Sequence, residues 1–278
     1  MSGEISIRLA STRADFDACV ELQRAVWGLA DLEISSCIQL IATTLAGGTV
    51  QLAQDAAGRA VGFAYAFPAL REGVAHLHSD MLAVLPEQQR RGVGVRLKWA
   101  QREEALRRGV RLITWTFDPL QARNAHLNLR RLGARASEFI EDVYGITSSA
   151  LHHGLPTDRL WVRWELDAPR VVERAAAGEP SPTVEVPELP RVNEVKWQAG
   201  WPVSSEADRT LDAPKLLLEL PPDFDVLSQA APRVAQDWHT KVRAALREYF
   251  GRGYQAVDFL PTEEKGRRRP FYLLARDL

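Results

Sequence analysis

Hydrophobic and polar positions divide the chain into short elements of changing period. Ile5-Ser6-Ile7-Arg8-Leu9 alternates in the manner of a half-buried strand. Phe16, Val20, Leu22 and Val26 then supply the buried face of a helix, with Ser11-Thr12 in place to cap it. A second helix is expected over residues 36–45, stopped by Gly47-Gly48. Residues 50–53 and 60–69 read as strands joined by the turn Asp55-Ala56-Ala57-Gly58, and residues 74–85 as a fourth strand.

The next segment begins with glycines and turns helical, placing Val93, Leu97 and Ala100 on one side and Arg102 and Glu103 on another. Arg108-Gly109 is a suitable end for it. Residues 111–117 are rich in β-branched and aromatic side chains, the composition of a strand, and Asp118-Pro119 breaks them off. A helix over 121–132 closes at Gly133, and strands are expected at 137–144 and 160–166. From 168 to about 211 the chain is rich in Pro, Glu, Ala and Val without a sustained period, which predicts an extended linker. The tail, 212–278, reads as a small α+β unit: a strand at 215–220, a long amphipathic helix at 231–250, and strands at 256–260 and 271–275. About 65 residues is near the lower limit for independent stability, so this unit is expected to pack on the first domain or on a second copy in a homodimer.

With 278 residues, 46% of them hydrophobic, there is ample sequence for a core. A formal net charge of -1 argues against nucleic acid or a membrane surface as partner. Cys19 and Cys37 both fall in apolar, helical stretches and are expected to be buried free thiols of a reducing compartment. Met1-Ser2-Gly3-Glu4 is no leader, and no apolar run is long enough to span a bilayer, so the expected location is cytoplasmic.

The densest chemistry lies where the fourth strand ends. Leu82-Ala83-Val84-Leu85-Pro86 passes through a polar turn into Gln89-Arg90-Arg91-Gly92-Val93-Gly94 and a helix. A helix start presents unpaired N–H groups and a partial positive charge, so strand, glycine turn and helix together make an anion site. Gly92 and Gly94 let the backbone approach a phosphate, and Arg90, Arg91 and Arg96 add charge. No third glycine follows, as a dinucleotide fingerprint requires, and no Gly-Lys-Ser/Thr, as a Walker loop requires.

The pattern Q/R-x-x-G-x-G/A, preceded by the strand end Leu82-x-Val84-x-Pro86, resembles the pyrophosphate motif of the GNAT acyltransferase superfamily. The element order over residues 5–167 is similar to the fold of that superfamily. The resemblance implies an α+β fold with a central mixed, mostly antiparallel sheet flanked by helices. It places a GNAT domain at 1–167, followed by the linker at 168–211 and the C-terminal β-α-β-β unit at 212–278. The tail echoes half a GNAT domain, but Pro221-Pro222-Asp223 stands where the cofactor motif would be. The resemblance is to a bacterial subgroup with such a C-terminal addition, some of whose members are linked to N-succinylation of amino acids.

The resemblance also implies acetyl-CoA or another acyl-CoA as co-substrate. Leu82, Ala83 and Val84 would pair with the pantetheine arm, Gln89, Arg90, Arg91, Gly92, Val93 and Gly94 would hold the pyrophosphate, and Asn124 would hydrogen-bond near the sulfur. Histidine has the unperturbed pKa nearest neutrality, which makes His78 a candidate base; the plain alternative is a polar residue at a strand entrance. On a regular pleat His78, Asp80, Leu82 and Val84 share one face, which makes Asp80 a candidate for orienting the base or for binding substrate. The family's tyrosine acid falls on Leu129, so Tyr144, expected on the sixth strand, is the alternative acid; its other reading is an aromatic core residue.

Asp158 and Arg159 are candidate contacts for a zwitterionic or carboxylate substrate, or else a surface ion pair. His152-His153 lacks ligand spacing, so no metal is expected. Gly266-Arg267-Arg268-Arg269-Pro270 reads as a solvated basic loop. The function expected is acyl-CoA-dependent N-acyl transfer, with an acetyl or succinyl donor, to the amine of a small molecule such as an amino acid. The rival is a non-catalytic acyl-CoA-binding module whose C-terminal unit serves assembly.

Overall fold

A computed structural model describes residues 5–145, 154–178 and 183–276. They form two compact units. The first holds the described residues up to Trp115 together with Glu165–Ala168, and the second holds the remaining described residues. His152 and His153 lie outside the described residues. No helix among those described is long and apolar enough to cross a membrane.

The first unit contains β1 (Ser6–Leu9), α1 (Arg13–Trp27), α2 (Cys37–Leu45), β2 (Thr49–Gln54), β3 (Ala60–Arg71), β4 (Val74–Val84), α3 (Val93–Arg107) and most of β5 (Leu112–Phe117). Thr12 caps α1 in a capping box with Asp15, and Ser36 caps α2. Strands β1 to β4 run antiparallel in sequence order, and β5 joins β4 in parallel.

The sheet is buried on both faces. On one, Phe16, Cys19 and Leu22 of α1 and Leu40 of α2 pack on Val50, Leu52, Phe63, Tyr65 and Ala83. On the other, Val93 and Leu97 of α3 pack on Ala53, Val61 and Ala64. Cys19 and Cys37 are buried free thiols, as expected, and burial pushes the Cys19 thiol up to about 12.

The second unit contains α4 (Ala122–Ala125), β6 (Arg135–Ile140), most of β7 (Arg159–Glu165), α5 (Pro169–Ala176), β8 (Val195–Gln198), β9 (Trp201–Ser204), β10 (Lys215–Glu219), α6 (Phe224–Ala230), α7 (Pro232–Gly251), β11 (Gln255–Glu264) and β12 (Arg267–Ala275). Its strands lie in the order β7-β6-β11-β12-β10, with Trp238, Val242, Leu246 and Tyr249 of α7 buried. A helix and a β8–β9 hairpin occupy parts of the segment expected to be an extended linker.

Two further departures concern local geometry. After α4 the helix continues over His126–Arg131 with wider π-type turns, so the Leu132 amide donates to Leu127 O. One residue is thereby inserted into the helical count, and Leu129, reached by counting back from Gly133, is fully buried. The expected basic loop is mostly strand: Arg267 to Pro270 belong to β12, where Arg269 forms a bidentate pair with Glu219 at 2.7 and 2.8 Å.

Candidate acyl-CoA site

The site in the first unit is built on a strand that loses its neighbour. β4 pairs with β3 along its length but with β5 only at Leu77↔Ile113 and His78↔Thr114. Residues 79–84 continue with no β5 partner, leaving a gap that opens from its root at His78 and Thr114. Backbone groups on that edge are available to an extended ligand that adds as a strand would.

A bulge sits at the root. Tyr65 faces Met81 while the next residue, Ala66, faces Ser79, so Asp80 is the extra residue. The extra residue reverses the alternation and overturns the expectation that His78, Asp80, Leu82 and Val84 share a face. His78 lies on the α1 side, its ring 5.2 Å from that of Phe67. Leu82 and Val84 join the core on the α3 side. Ser79 is on that side too, its Oγ accepting from Lys98 Nζ of α3 at 3.0 Å. Asp80 is exposed.

His78 Nδ1 is 2.9 Å from Thr114 Oγ1. Burial, with smaller contributions from His76 and Lys98, pushes the imidazole down to about 4. It is therefore neutral at physiological pH, able to accept a proton but weakly basic.

Past the strand, Pro86–Gln88 form a single 3-10 turn and Gln89 folds back, its amide donating to Val84 O at 3.0 Å. Gln89 thus braces the strand end rather than extending toward solvent. Arg90 and Gly92 both have left-handed backbone, with φ of 61° and 75°. Gly92 is the N-cap of α3 and has no side chain to satisfy the first N–H groups of the helix, which stay available to an anion. A Cβ on Gly94 would lie 3.7 Å from Leu82 and 3.9 Å from Val84, ordinary contact. A Cβ on Gly62 of β3 would lie 2.7 Å from Ala83 O, so that glycine permits the close approach of β3 to the arm of β4.

The three arginines divide. Arg90 is exposed, Arg91 donates to Gln88 Oε1 at 2.7 Å, and Arg96 donates to Ile5 O at 2.5 Å. The last is thereby committed to the edge of the sheet.

The remaining expected residues belong to the second unit. Asn124 is exposed on α4. Tyr144 lies beyond β6, which ends at Ile140, instead of on a strand. It is half exposed, with its hydroxyl 3.4 Å from Thr116 Oγ1 and the Arg159 guanidinium over its ring at 5.4 Å. Arg159 also donates to Thr116 through its Nε and Nη2.

Asp158 is 4% exposed and bound bidentately by Arg243 at 2.7 and 2.5 Å, so it forms a buried ion pair rather than an open substrate contact. Nearby, Asp118 lines a cavity with Thr157, Asp158, Arg159, Phe224 and His239, and burial pushes its carboxyl up to about 6.

Sequence reasoning passed over Thr114, Ser79, Lys98 and Gln101. The available signal was in α3, where Lys98 and Gln101 interrupt the buried stripe that runs from Val93 through Leu97 to Ala105.

The Acetyltransferase (GNAT) family model matches residues 22–134. Among solved structures, the chain resembles the ribosomal-protein-S18-alanine N-acetyltransferase of Escherichia coli, with 17% identity over 59% of this chain and 94% of that one, at a TM-score of 0.47. It also resembles yncA, a putative acetyltransferase of Salmonella typhimurium solved with its cofactor acetyl-CoA, with 22% identity over 59% and 95% and a TM-score of 0.49. The ribosomal-protein-alanine N-acetyltransferase of Brucella melitensis gives 23% identity over 57% and 98%, at 0.46. No curated protein matches. Residues 22–134, which include the strand, glycine turn and helix, thus match a GNAT acetyltransferase domain, and additional strands follow toward the C-terminus.

Proposed function

We propose that the protein is an acyl-CoA-dependent N-acyltransferase that uses an acetyl or succinyl donor and a small-molecule amine, an amino acid among them. The observation that carries this reading is the β4 edge over 79–84, which has no β5 partner and leads from His78 to the Gly92-capped start of α3. In this reading the backbone of Leu82, Ala83 and Val84 pairs with the pantetheine arm. The N–H groups from Gly92 through Gly94 take the pyrophosphate, with Arg90 and Arg91 beside them and Gln89 holding the strand end in place. Asn124 is assigned to the cofactor as well.

Transfer forms an N–C bond and breaks the C–S bond of the thioester. One proton must leave the amine and one must reach the departing thiolate. His78, neutral and hydrogen-bonded to Thr114, is assigned the first step, through a water that spreads the charge its low basicity would not hold alone. Tyr144 is assigned the second. Asp80, exposed at the bulge, and Arg159 are assigned to the acceptor.

Thiol release with an acyl-CoA and a panel of amines tests this directly. Amine-dependent release that falls at least tenfold in His78→Ala is expected. A second reading, a non-catalytic acyl-CoA-binding module, is favoured by the buried Leu129 in place of a tyrosine. CoA binding without turnover on any amine would establish it instead.

A further inference from the structure

A charged side chain stands where β4 and β5 part. The registers Leu77↔Ile113 and His78↔Thr114 put Ser79 and Trp115 next in line, but no further β4–β5 residue pair follows. Lys98 of α3 joins their side chains instead. Its Nζ donates to Ser79 Oγ at 3.0 Å and to Gln101 Oε1 at 2.7 Å, and lies 3.9 Å from the centre of the Trp115 ring. Lys98 is 3% exposed, an uncommon place for a lysine, and Ser79, Gln101 and Trp115 are buried with it.

The root of the gap is thus held on both faces of the sheet, in successive rows. His78 and Thr114 meet on the α1 side, and Lys98 bridges Ser79 and Trp115 on the α3 side. The other side chains facing α3 here are Ile7 of β1, Thr49 and Gln51 of β2, and Ala64 and Ala66 of β3. On α3 itself Arg102 follows one turn later and donates to Leu166 O. The titratable neighbours on β4 belong to the other face: His78 stacks near Phe67, and the charge of Asp80 is felt by Tyr65.

Two arrangements of the β4 edge compete. Pairing residue 79 with residue 115 would lengthen the ladder and use backbone groups beside those an extended ligand needs. An ammonium between the two side chains opposes that closure. It gains more from the Ser79 hydroxyl, the Gln101 carbonyl and the indole face than a neutral amine does. Burial holds Lys98 down to about 7, so both forms are populated near neutral pH.

We propose that Lys98 is a positioning residue of the acyl-CoA site: its charged form keeps Ser79 and Trp115 apart, holds the β4 edge open, and so couples cofactor binding to its own protonation. The inference rests on reading the gap as the cofactor site. Lys98 acts through Ser79 and Trp115 and takes no part in the transfer itself. Because the open edge favours the charged form, affinity is full below about pH 7 and falls as pH rises through that value.

Calorimetric titration of the full chain with dephospho-CoA at pH 6 and pH 8 tests it, since the pyrophosphate of this probe keeps its charge over the interval. The unaltered protein is expected to bind about fivefold more weakly at pH 8. Lys98→Met is expected to bind about tenfold more weakly than the unaltered protein at pH 6 and to show no pH step. Trp115→Leu removes the ring and should shrink the step, which keeps the test open should Lys98→Met fail to fold. Equal affinities at the two pH values in the unaltered protein overturn the proposal, as does an undiminished step in folded Lys98→Met or Trp115→Leu. A lysine serving stability alone would lower the melting temperature of Lys98→Met and leave affinity and its pH dependence intact, which also overturns it. If dephospho-CoA and CoA bind at neither pH, the reading of the gap itself fails, a result distinct from binding without a step.

Discussion

His78 Nδ1 meets Thr114 Oγ1 at 2.9 Å across the last residue pair before β4 and β5 separate. One contact thus closes the root of the gap and sets the imidazole beside it. No further β4–β5 residue pair follows that one, so the position of His78 and the end of the ladder are coupled.

The buried imidazole makes stability depend on pH with a definite sign. The folded value, about 4, lies below the ordinary 6.5, so between those pH values the unfolded chain binds more protons. The contribution is complete above about pH 6.5 and is lost as pH falls toward 4, amounting at most to about 3 kcal/mol. Urea unfolding at pH 7 and pH 5 should show a smaller stability difference in His78→Phe than in the unaltered protein. Identical differences would contradict the assigned burial.

The two motif glycines should respond differently. Gly92 needs its positive φ, so Gly92→Val is expected to lose about 1–2 kcal/mol of stability and to abolish CoA binding. Gly94→Ala adds only ordinary contacts and should keep both. Unchanged CoA affinity in folded Gly92→Val would remove the pyrophosphate assignment.

Gly62 lies outside the motif yet lines its support. Gly62→Ala would force a Cβ against Ala83 O and displace β4, at a cost of about 1–3 kcal/mol. A matching loss of CoA affinity is expected, although residue 62 is not itself assigned to the ligand. Full affinity with lowered stability would show that the arm tolerates movement of the strand.

Asp158 separates a structural role from a substrate role. Asp158→Asn removes the closer carboxylate from Arg243, leaving it Glu141 at 4.0 Å, and is expected to cost about 3 kcal/mol in thermal or urea unfolding. A substrate contact would instead raise KM with stability intact.

How far the chain was readable depended on whether the signal was local. Gln89 to Gly94, the strand before them and the cap at Thr12 could be read because each rests on neighbours within a turn or two. The bulge at Asp80 could not, since it appears only when Ala66 and Ser79 are paired across two strands. The π-type turns at 126–131 could not be read either, because they insert a residue without altering composition. Lys98 was passed over for another reason: a lysine in a helix is ordinarily solvated, and its buried contacts, Ser79 and Trp115, lie on other elements. Asp158 was legible as one half of an ion pair, but its partner, Arg243, lies far along the chain.

The extra residue at Asp80 divides β4 into two reading frames. Ahead of it even-numbered residues such as His78 look toward α1; behind it even-numbered residues such as Leu82 look toward α3. Deleting Asp80 would merge the frames, sending either the histidine into the layer under α3 or the leucine and valine out of it. Substitutions along this strand therefore have to be counted from the nearer end, and related chains aligned without a gap at this position will exchange inward and outward residues over half the strand.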